Sequence, residues 1–210
     1  MTRKGLYVAC GVLLFTALCY LCTGCRQTAP GHEAVPVERL REGDLVFRLG
    51  SSIESRVVRA TDARKTRYSH VGVLVQEGGQ WFVVHAVPGE HEGRGDSDRV
   101  KMEPLASFWE ERRALHGAVM RYPCSDSCVQ RVARHAIALY KRRTPFDNDY
   151  DCTDTTRLYC TELVQFLYRC ENIDLAQGRI THSHFPFFPD SVIYPQDLIE
   201  NKKLFSIFAY

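Results

Sequence analysis

Residues 158–164 of this 210-residue chain read Leu-Tyr-Cys-Thr-Glu-Leu-Val, and they place a cysteine at the start of an apolar run. Apolar residues continue at helical spacing as far as Tyr168, which predicts an amphipathic helix that begins near Cys160. A thiol in the first turn of a helix lies at the positive end of the helix dipole, and this position favours the thiolate. Cys160 is therefore a candidate nucleophile. A buried core thiol is the competing interpretation, because free cysteines are among the most buried residue types.

A candidate base for this nucleophile lies upstream, in a predicted β-hairpin. Residues 70–76 begin with His70 and alternate valines with Gly and Leu, and residues 80–87 form a second β-rich run. A Gly-Gly pair separates the two runs, which is a strong hairpin signal. His85 lies on the returning strand near the expected cross-strand neighbour of His70, where side chains on one face are about 5 Å apart. We therefore expect His70 and His85 to pair beside Cys160.

These residue types suit nucleophilic catalysis by a thiol. An imidazolium beside a thiol lowers the thiol pKa by several units from about 8.5. The imidazole in turn needs a second polar group that orients it, and this is the role expected for His85. The backbone N–H of Cys160 is the expected oxyanion donor, worth roughly 3 kcal/mol when correctly aimed. The Tyr159 hydroxyl is an auxiliary candidate at the site, with a packing role as the alternative.

The remaining segments predict a mixed fold. Strands are expected near residues 45–47, 100–105, 117–122 and 204–210, a short helix over 51–60 and an amphipathic helix over 126–142. Ile53, Val57 and Val58 are expected to form the buried side of the short helix. Strands that come first, with helices interleaved late, indicate an α+β domain that spans residues 39–210.

The first 24 residues have the layout of an export signal. A short basic region precedes an apolar run over residues 6–21, and Gly24 then precedes Cys25. This layout resembles a bacterial lipoprotein signal, which implies cleavage after residue 24 and lipidation of Cys25. The alternative is an uncleaved anchor, although the run is shorter than the roughly 20 residues of a membrane span. Residues 25–38 contain Pro and Gly and few apolar side chains, so we expect a flexible tether.

Charge and cysteine content narrow the possible functions. Beyond residue 24, basic and acidic side chains are equal in number, so a nucleic-acid partner is not expected. An exported domain with five cysteines after Cys25 keeps at least one free thiol. If Cys160 is that thiol, two disulfides in any of three connectivities remain open among Cys124, Cys128, Cys152 and Cys170. None of the five forms a C-x-x-C pair, so a structural zinc site is not expected.

Six short segments together resemble the permuted papain-like cysteine amidases of the NlpC-type superfamily, in particular the YaeF/YiiX-like group. In chain order they are residues 43–47, 69–73, 84–86, 145–147, 159–163 and 195–198. The resemblance implies a permuted papain-like fold, with an antiparallel sheet or half-barrel packed against the helix that carries the catalytic cysteine. It also implies Cys160 as nucleophile, His70 as general base and His85 as the third polar residue. Many members have an acid at that third position, whereas a histidine is similar to the lecithin:retinol acyltransferase relatives.

The resemblance and the N-terminal pattern together predict a lipid-anchored cysteine hydrolase without cofactor or metal. Its expected substrate is an amide bond of a cell-wall peptide or related envelope material, cleaved through a thioester. The alternatives are an acyltransferase or lipid hydrolase, a non-catalytic envelope binding module, and a zinc site built from His70, His85 and Cys160. We expect an exported, periplasm-facing protein held to the membrane by its N-terminal lipid. Arg26 replaces the Asp associated with inner-membrane retention, which favours the outer membrane.

Overall fold

The computed structural model describes residues 35–64, 66–90, 93–183 and 191–210. After a 3-10 turn at Val37–Arg39, the strands are β1 Leu45–Gly50, β2 His70–Glu77, β3 Gln80–Val87, β4 Arg99–Pro104, β5 Ala114–Arg121, β6 Thr181–His182, β7 Ser191–Val192 and β8 Phe205–Ala209. The helices are α1 Ile53–Thr61, α2 Leu105–Phe108, α3 Asp126–Lys141, α4 Cys160–Arg169 and α5 Pro195–Ile199. The expected α+β class is confirmed.

Six of the strands form one antiparallel sheet in the order β4-β3-β2-β1-β5-β8. The predicted hairpin joins β2 to β3, with Val73 opposite Val84. Gly78 and Gly79 make its turn at φ +58° and +79°, a region that favours glycine because it lacks a Cβ. The short strands β6 and β7 form a separate pair that the sequence pattern did not predict.

The sheet is buried on both faces, because successive side chains of a strand point to opposite sides. On one face Phe47, Val73 and Val84 join the larger core with the apolar sides of α3 and α4. On the other face Val46 and Leu74 pack against a smaller core that includes Phe108 of α2 and its neighbour Trp109. Since both faces are covered, the ends of the strands are where polar side chains of the sheet meet solvent.

Helix α4 begins at Cys160, as predicted, and lies against the larger core. Leu163, Val164 and Leu167 are fully buried on its inner side, which accounts for the apolar stripe in the sequence. A side-chain oxygen of Glu162 accepts a hydrogen bond from the Tyr159 N–H at 3.4 Å and so caps the first turn. This structural role for Glu162 places Cys160 at the first position of the helix.

Helix α1 forms where it was expected, but only one of its three predicted inward residues, Val58, packs against the larger core. Ile53 and Val57 are 70% and 43% exposed, whereas Ser55 is buried. The Ser55 hydroxyl lies 2.6 Å from the Ser69 hydroxyl, which also accepts a hydrogen bond from the Gly50 N–H at 2.9 Å. This polar contact with the ends of β1 and β2 fixes the rotation of the helix, so Ile53 and Val57 face outward.

Several expectations about the N-terminus lie outside the described residues. The signal peptide 1–24 and the lipidation site Cys25 belong to this part of the chain, and only residues 35–38 of the predicted tether are described. In the ranges that the structure does describe, no helix is both long enough and apolar enough to cross a membrane.

The five cysteines of the domain are all free thiols in the structure. The Cys124 and Cys128 side chains are hydrogen-bonded near the start of α3, and burial raises the pKa of Cys124 to about 12. The pairing of Cys124, Cys128, Cys152 and Cys170 in an oxidising compartment stays a prediction.

Candidate active site

A cleft of about 190 Å³ opens at the end of the sheet where β1 and β3 finish and β2 begins. Helix α1 borders one side of the cleft, and the first residue of α4 borders another. The charged, nucleophilic and aromatic residues that line it include Arg48, Glu54, His70, Glu90, Arg113, Tyr150 and Cys160. The candidate nucleophile and base therefore share one cleft, although 90 residues separate them in the sequence.

The Cys160 thiol is surrounded by backbone donors. Burial raises the pKa of the thiol to about 11, and this outweighs the opposite effect of hydrogen bonds from the backbone N–H groups of Val71 and Thr161. The resting group is therefore a thiol at neutral pH, and the expected preference for the thiolate is not realised. Nucleophilic attack then requires a base that takes the proton as the bond to sulfur forms.

His70 and His85 are in direct contact. Nε2 of His70 lies 2.8 Å from Nδ1 of His85, and the two rings meet edge to face. The register of the hairpin sets His85 across from Gly72, so the two histidines are diagonal neighbours rather than a directly opposed pair. A Cβ on Gly72 would lie 2.9 Å from the His85 Cβ and 2.5 Å from a Val83 methyl, so the glycine makes this approach possible.

Glu103 on β4 contacts His85 on the side away from His70, so that Glu103, His85 and His70 form a line of three side chains. Oε1 of Glu103 lies 3.0 Å from Nε2 of His85, off the direction of an ideal hydrogen bond, and Nε2 has no other partner among the described residues. Arg113 holds the same carboxylate through two contacts of 2.5 and 3.0 Å. Burial opposes ionisation of Glu103, but hydrogen bonds and charge from His85 and Arg113 lower its pKa to about 2. Glu103 is thus a carboxylate at neutral pH.

The ionised Glu103 carboxylate determines which ring nitrogen of each histidine carries a proton. An ionised Glu103 requires a proton on Nε2 of His85, so Nδ1 of His85 accepts and Nε2 of His70 donates. Nδ1 of His70 is left unprotonated, as a general base must be. Burial lowers the pKa of both rings, and the positive charge of Arg48 lowers that of His70 further. The line from Glu103 to His70 therefore fixes a neutral imidazole, and His70 is one of the residues that line the cleft.

Two arginines flank this line of residues. Arg48 lies directly opposite His70 on β1, stacks over the Phe108 ring at 4.5 Å and donates to the Phe108 carbonyl at 3.1 Å. The Glu90 carboxylate bridges the two arginines, with Oε1 on Arg48 and Oε2 on Arg113. Nε of Arg48 is buried and has no hydrogen-bond partner among the described residues. Two positive and two negative side chains thus share a nearly closed compartment beside His70.

Tyr159 does not contribute its hydroxyl to the cleft. The ring is 1% exposed, and the hydroxyl accepts the Ile193 N–H at 3.1 Å and contacts the Cys152 sulfur at 3.0 Å. The Thr161 hydroxyl donates to the Ile193 carbonyl at 2.5 Å, so both neighbours of Cys160 are bound to one residue. The auxiliary role expected for Tyr159 is therefore replaced by a positioning role in the core. The tyrosine that lines the cleft is Tyr150.

One group of side chains in the described ranges has the donor types and spacing of a metal site. Ligand atoms of His85, Glu90 and Glu103 lie within 4.8 Å of one another. Both carboxylates are already paired with arginine guanidinium groups, and a cation placed among them would meet the positive charges of Arg48 and Arg113. The set does not suit a metal ion. The combination of His70, His85 and Cys160 does not form such a group in the described ranges.

Sequence reasoning missed Glu103, Arg113 and Arg48. A partial signal was present, because charged residues interrupt two runs that otherwise predict buried strands, with Arg48 next to Phe47 and Glu103 after Met102. Buried charges are rare unless they are paired, so each such residue indicates a partner. The pattern does not say which partner, because that depends on how β4 and β1 align with the hairpin.

A thiol at the start of a helix, which shares a cleft with one histidine of a pair on an antiparallel sheet, is typical of the papain-like class of cysteine hydrolases. The chain belongs to the family described as "Permuted papain-like amidase enzyme, YaeF/YiiX, C92 family", which matches residues 39–208. Its fold is similar to the crystal structure of metalloprotein yiiX from Escherichia coli O157:H7, with a TM-score of 0.65 and 19% sequence identity over 82% of this chain and 98% of that one. A comparison with curated proteins finds no match.

Proposed function

We propose that the protein is a cysteine amidase in which Cys160 is the nucleophile and His70 the general base. The observation that carries this proposal is the line Glu103–His85–His70 ending in the cleft that Cys160 shares. It supplies the three parts of a thiol catalytic centre, namely a nucleophile, a base and the groups that orient the base. The family match supports the same class of reaction.

In the first half-reaction, Nδ1 of His70 takes the Cys160 proton as the sulfur attacks the amide carbonyl carbon. The oxyanion that forms is stabilised by backbone N–H groups around the sulfur, namely those of Val71, Thr161 and Cys160 itself. A donor of this kind is worth roughly 3 kcal/mol in the transition state. The C–N bond then breaks, the amine leaves with the proton from His70, and a thioester to Cys160 remains.

In the second half-reaction, water replaces the amine. His70 takes one proton from the water as its oxygen attacks the thioester, and it returns that proton to the Cys160 sulfur as the carboxylic acid leaves. His85 stays bound to Nε2 of His70 throughout, and Glu103 stays beside Nε2 of His85. Their function is to stabilise the imidazolium that forms twice in each cycle, because burial and Arg48 otherwise disfavour the charged ring.

The substrate and location are part of the same proposal. The N-terminal basic region, apolar run and Gly24–Cys25 pair support export and lipidation at Cys25, with the domain facing the periplasm. An amidase held at the outer membrane would meet cell-wall peptides and related envelope amides.

A second candidate function is acyl transfer or lipid hydrolysis. The apolar side chains of Val58, Ala86 and Val87 line part of the cleft. Such a lining suits an acyl chain, and His85 at the third polar position is similar to the lecithin:retinol acyltransferase relatives. The chemistry at Cys160 would be the same, with an ester in place of the amide.

A resident metal ion does not enter this mechanism. The printed description of the Escherichia coli structure calls that protein a metalloprotein. In this chain the residues that come nearest to a metal site, His85, Glu90 and Glu103, are already neutralised by Arg48 and Arg113. No step is therefore assigned to a metal.

The test is hydrolysis of two substrate panels by the full chain and two variants. The panels are peptide fragments of the cell wall and glycerophospholipids. We expect release of an amine from a wall peptide, lost in Cys160→Ala and kept in Cys170→Ala, which removes an exposed thiol at the far end of α4. Release of fatty acid alone would favour the second candidate. Turnover of either panel by Cys160→Ala would rule out both.

A further inference from the structure

The Arg48–Arg113 pair lies in the cleft beside the proposed nucleophile, and its partner Glu90 also lines that cleft. We propose that the two arginines form a binding site for a substrate carboxylate, and that the Glu90 carboxylate occupies this site in the free protein. The inference rests on the proposed function and narrows its substrate class to amides that carry a free carboxylate close to the bond that is cleaved.

Burial and pairing of the arginines support this assignment. The Arg48 side chain is only 4% exposed, which is rare for an arginine unless it serves a partner. Its Nε remains without a hydrogen-bond partner among the described residues. An unsatisfied, buried guanidinium N–H next to a cleft is a donor that a bound anion can use. Arg113 lines the same cleft and supplies a second fork of donors.

The two carboxylates of the compartment have different tasks. Glu103 is held by His85 and by both terminal nitrogens of Arg113, so it belongs to the line that orients His70. The Glu90 side chain is more exposed, at 27% against 16%, and follows β3 rather than lying in a strand. Each of its oxygens binds one arginine, which is the bridging geometry that a substrate carboxylate would adopt.

The exchange would be electrostatically neutral. A substrate carboxylate that displaces Glu90 replaces one negative charge with another, so the balance around the two arginines is kept. A neutral substrate offers no such replacement and would leave Glu90 in place. Since Arg48 and Arg113 both lower the pKa of His70, the bridging anion also limits their effect on the base. The site thus favours anionic substrates in binding, while the basicity of His70 is kept whichever carboxylate bridges the arginines.

The first experiment compares two alkylating reagents at Cys160. Iodoacetate places a carboxylate next to the reacting carbon, whereas iodoacetamide is neutral and of similar size. The ratio of their rates at Cys160, measured by mass spectrometry of the Cys160 peptide in the full chain, cancels changes in thiol reactivity. We expect Arg113→Gln to lower the ratio of the iodoacetate rate to the iodoacetamide rate about tenfold, because a charge-assisted contact to the carboxylate is lost. Glu90→Gln should raise the ratio, because the arginines no longer bind the Glu90 carboxylate.

Arg112→Gln is the matched control. Arg112 precedes Arg113, pairs with Glu110 and is 83% exposed, and it does not line the cleft. Its ratio should equal that of the unchanged protein. Equal ratios in Arg113→Gln, Glu90→Gln and the control would overturn the carboxylate site. Alkylation of Cys160 that still depends on His70 would, in that case, leave the proposed amidase function standing.

The second experiment identifies the anion. A short peptide with a free C-terminal carboxylate should slow iodoacetamide labelling of Cys160, and the same peptide as its C-terminal amide should not. Glycerol phosphate, which carries the headgroup charge of a phospholipid, is the third probe. Protection by the phosphate alone would overturn the carboxylate assignment and connect the arginines to the lipid alternative. Protection by the peptide carboxylate that disappears in Arg113→Gln would support the inference.

Discussion

Nε2 of His70 lies 2.8 Å from Nδ1 of His85, and this contact joins the proposed base to the half-buried carboxylate of Glu103, which does not line the cleft. His85 is fully buried and touches Glu103 on its other side. The two rings therefore carry a fixed direction of hydrogen bonding, from His70 through His85 to Glu103. Without that direction His70 has two equivalent tautomers, and only one of them can accept a proton from Cys160.

The role of His70 predicts a pH-dependent loss of thiol reactivity. His70→Ala should slow alkylation of Cys160 at pH 7 by about tenfold or more, because a general base is lost. The difference should shrink as the pH approaches about 11, where solvent deprotonates the thiol without help. The rate is measured with iodoacetamide across this range. His135→Ala, on the exposed side of α3, is the control, and an equal loss in both variants would remove His70 from the mechanism.

Glu103 is predicted to be a positioning residue. Glu103→Gln keeps the shape but offers an amide that does not require a proton on Nε2 of His85. The turnover number should fall by about tenfold to a hundredfold, less than for loss of the base itself. Glu103→Asp should recover part of the activity. The nitrogen chemical shifts of the His70 ring report its tautomer, and an unchanged tautomer in Glu103→Gln would contradict this role.

Gly72 is predicted to be required for the histidine contact. An added methyl would lie within 3 Å of Val83, of the Val84 carbonyl and of His85, so β3 must move. We expect Gly72→Ala to lower the free energy of unfolding by about 1–3 kcal/mol and to slow alkylation of Cys160. Urea denaturation and labelling measure the two effects. Gly93→Ala, where no atom lies within 4 Å, should show neither.

The carboxyl group of Glu162 should make the protein less stable as the pH rises from about 4.5 to about 8. Burial raises the pKa of this carboxyl from 4.5 to about 8. A folded-state pKa above the unfolded value means that the stabilising contribution is complete below about 4.5 and is lost as the pH rises through 8. Glu162→Gln stays neutral and keeps the cap, so the two proteins should diverge over this range, with the variant more stable at pH 8. Parallel urea midpoints from pH 5 to pH 9 would contradict the assignment, and Glu77→Gln serves as an exposed control.

The elements that carry Cys160, His70 and His85 could be predicted because their signals are local. A helical stripe begins at Cys160, and a Gly-Gly turn fixes a hairpin whose register brings the two histidines to one face. Glu103 and Arg113 could not be placed in the same way. Their roles depend on β4 aligning beside β3 and on the chain returning from α2, which are tertiary relations that no short pattern encodes.

The orientation of α1 shows a second limit. Periodicity predicted burial of Ile53 and Val57, and the hydroxyl contact between Ser55 and Ser69 turned them outward instead. A pair of serines 14 residues apart has no recognisable spacing. Hydrophobic patterns are therefore least dependable for a short helix whose inner side is chosen by hydrogen bonds at the end of a sheet.

Ile193 binds the hydroxyl groups of Tyr159 and Thr161, the two residues on either side of Cys160. Ile193 lies 33 positions further along the chain than Cys160, and its two hydrogen bonds position the nucleophile relative to the sheet. Lengthening or shortening the connection between α4 and Ile193 would misalign the sulfur even if every side chain of the cleft were unchanged.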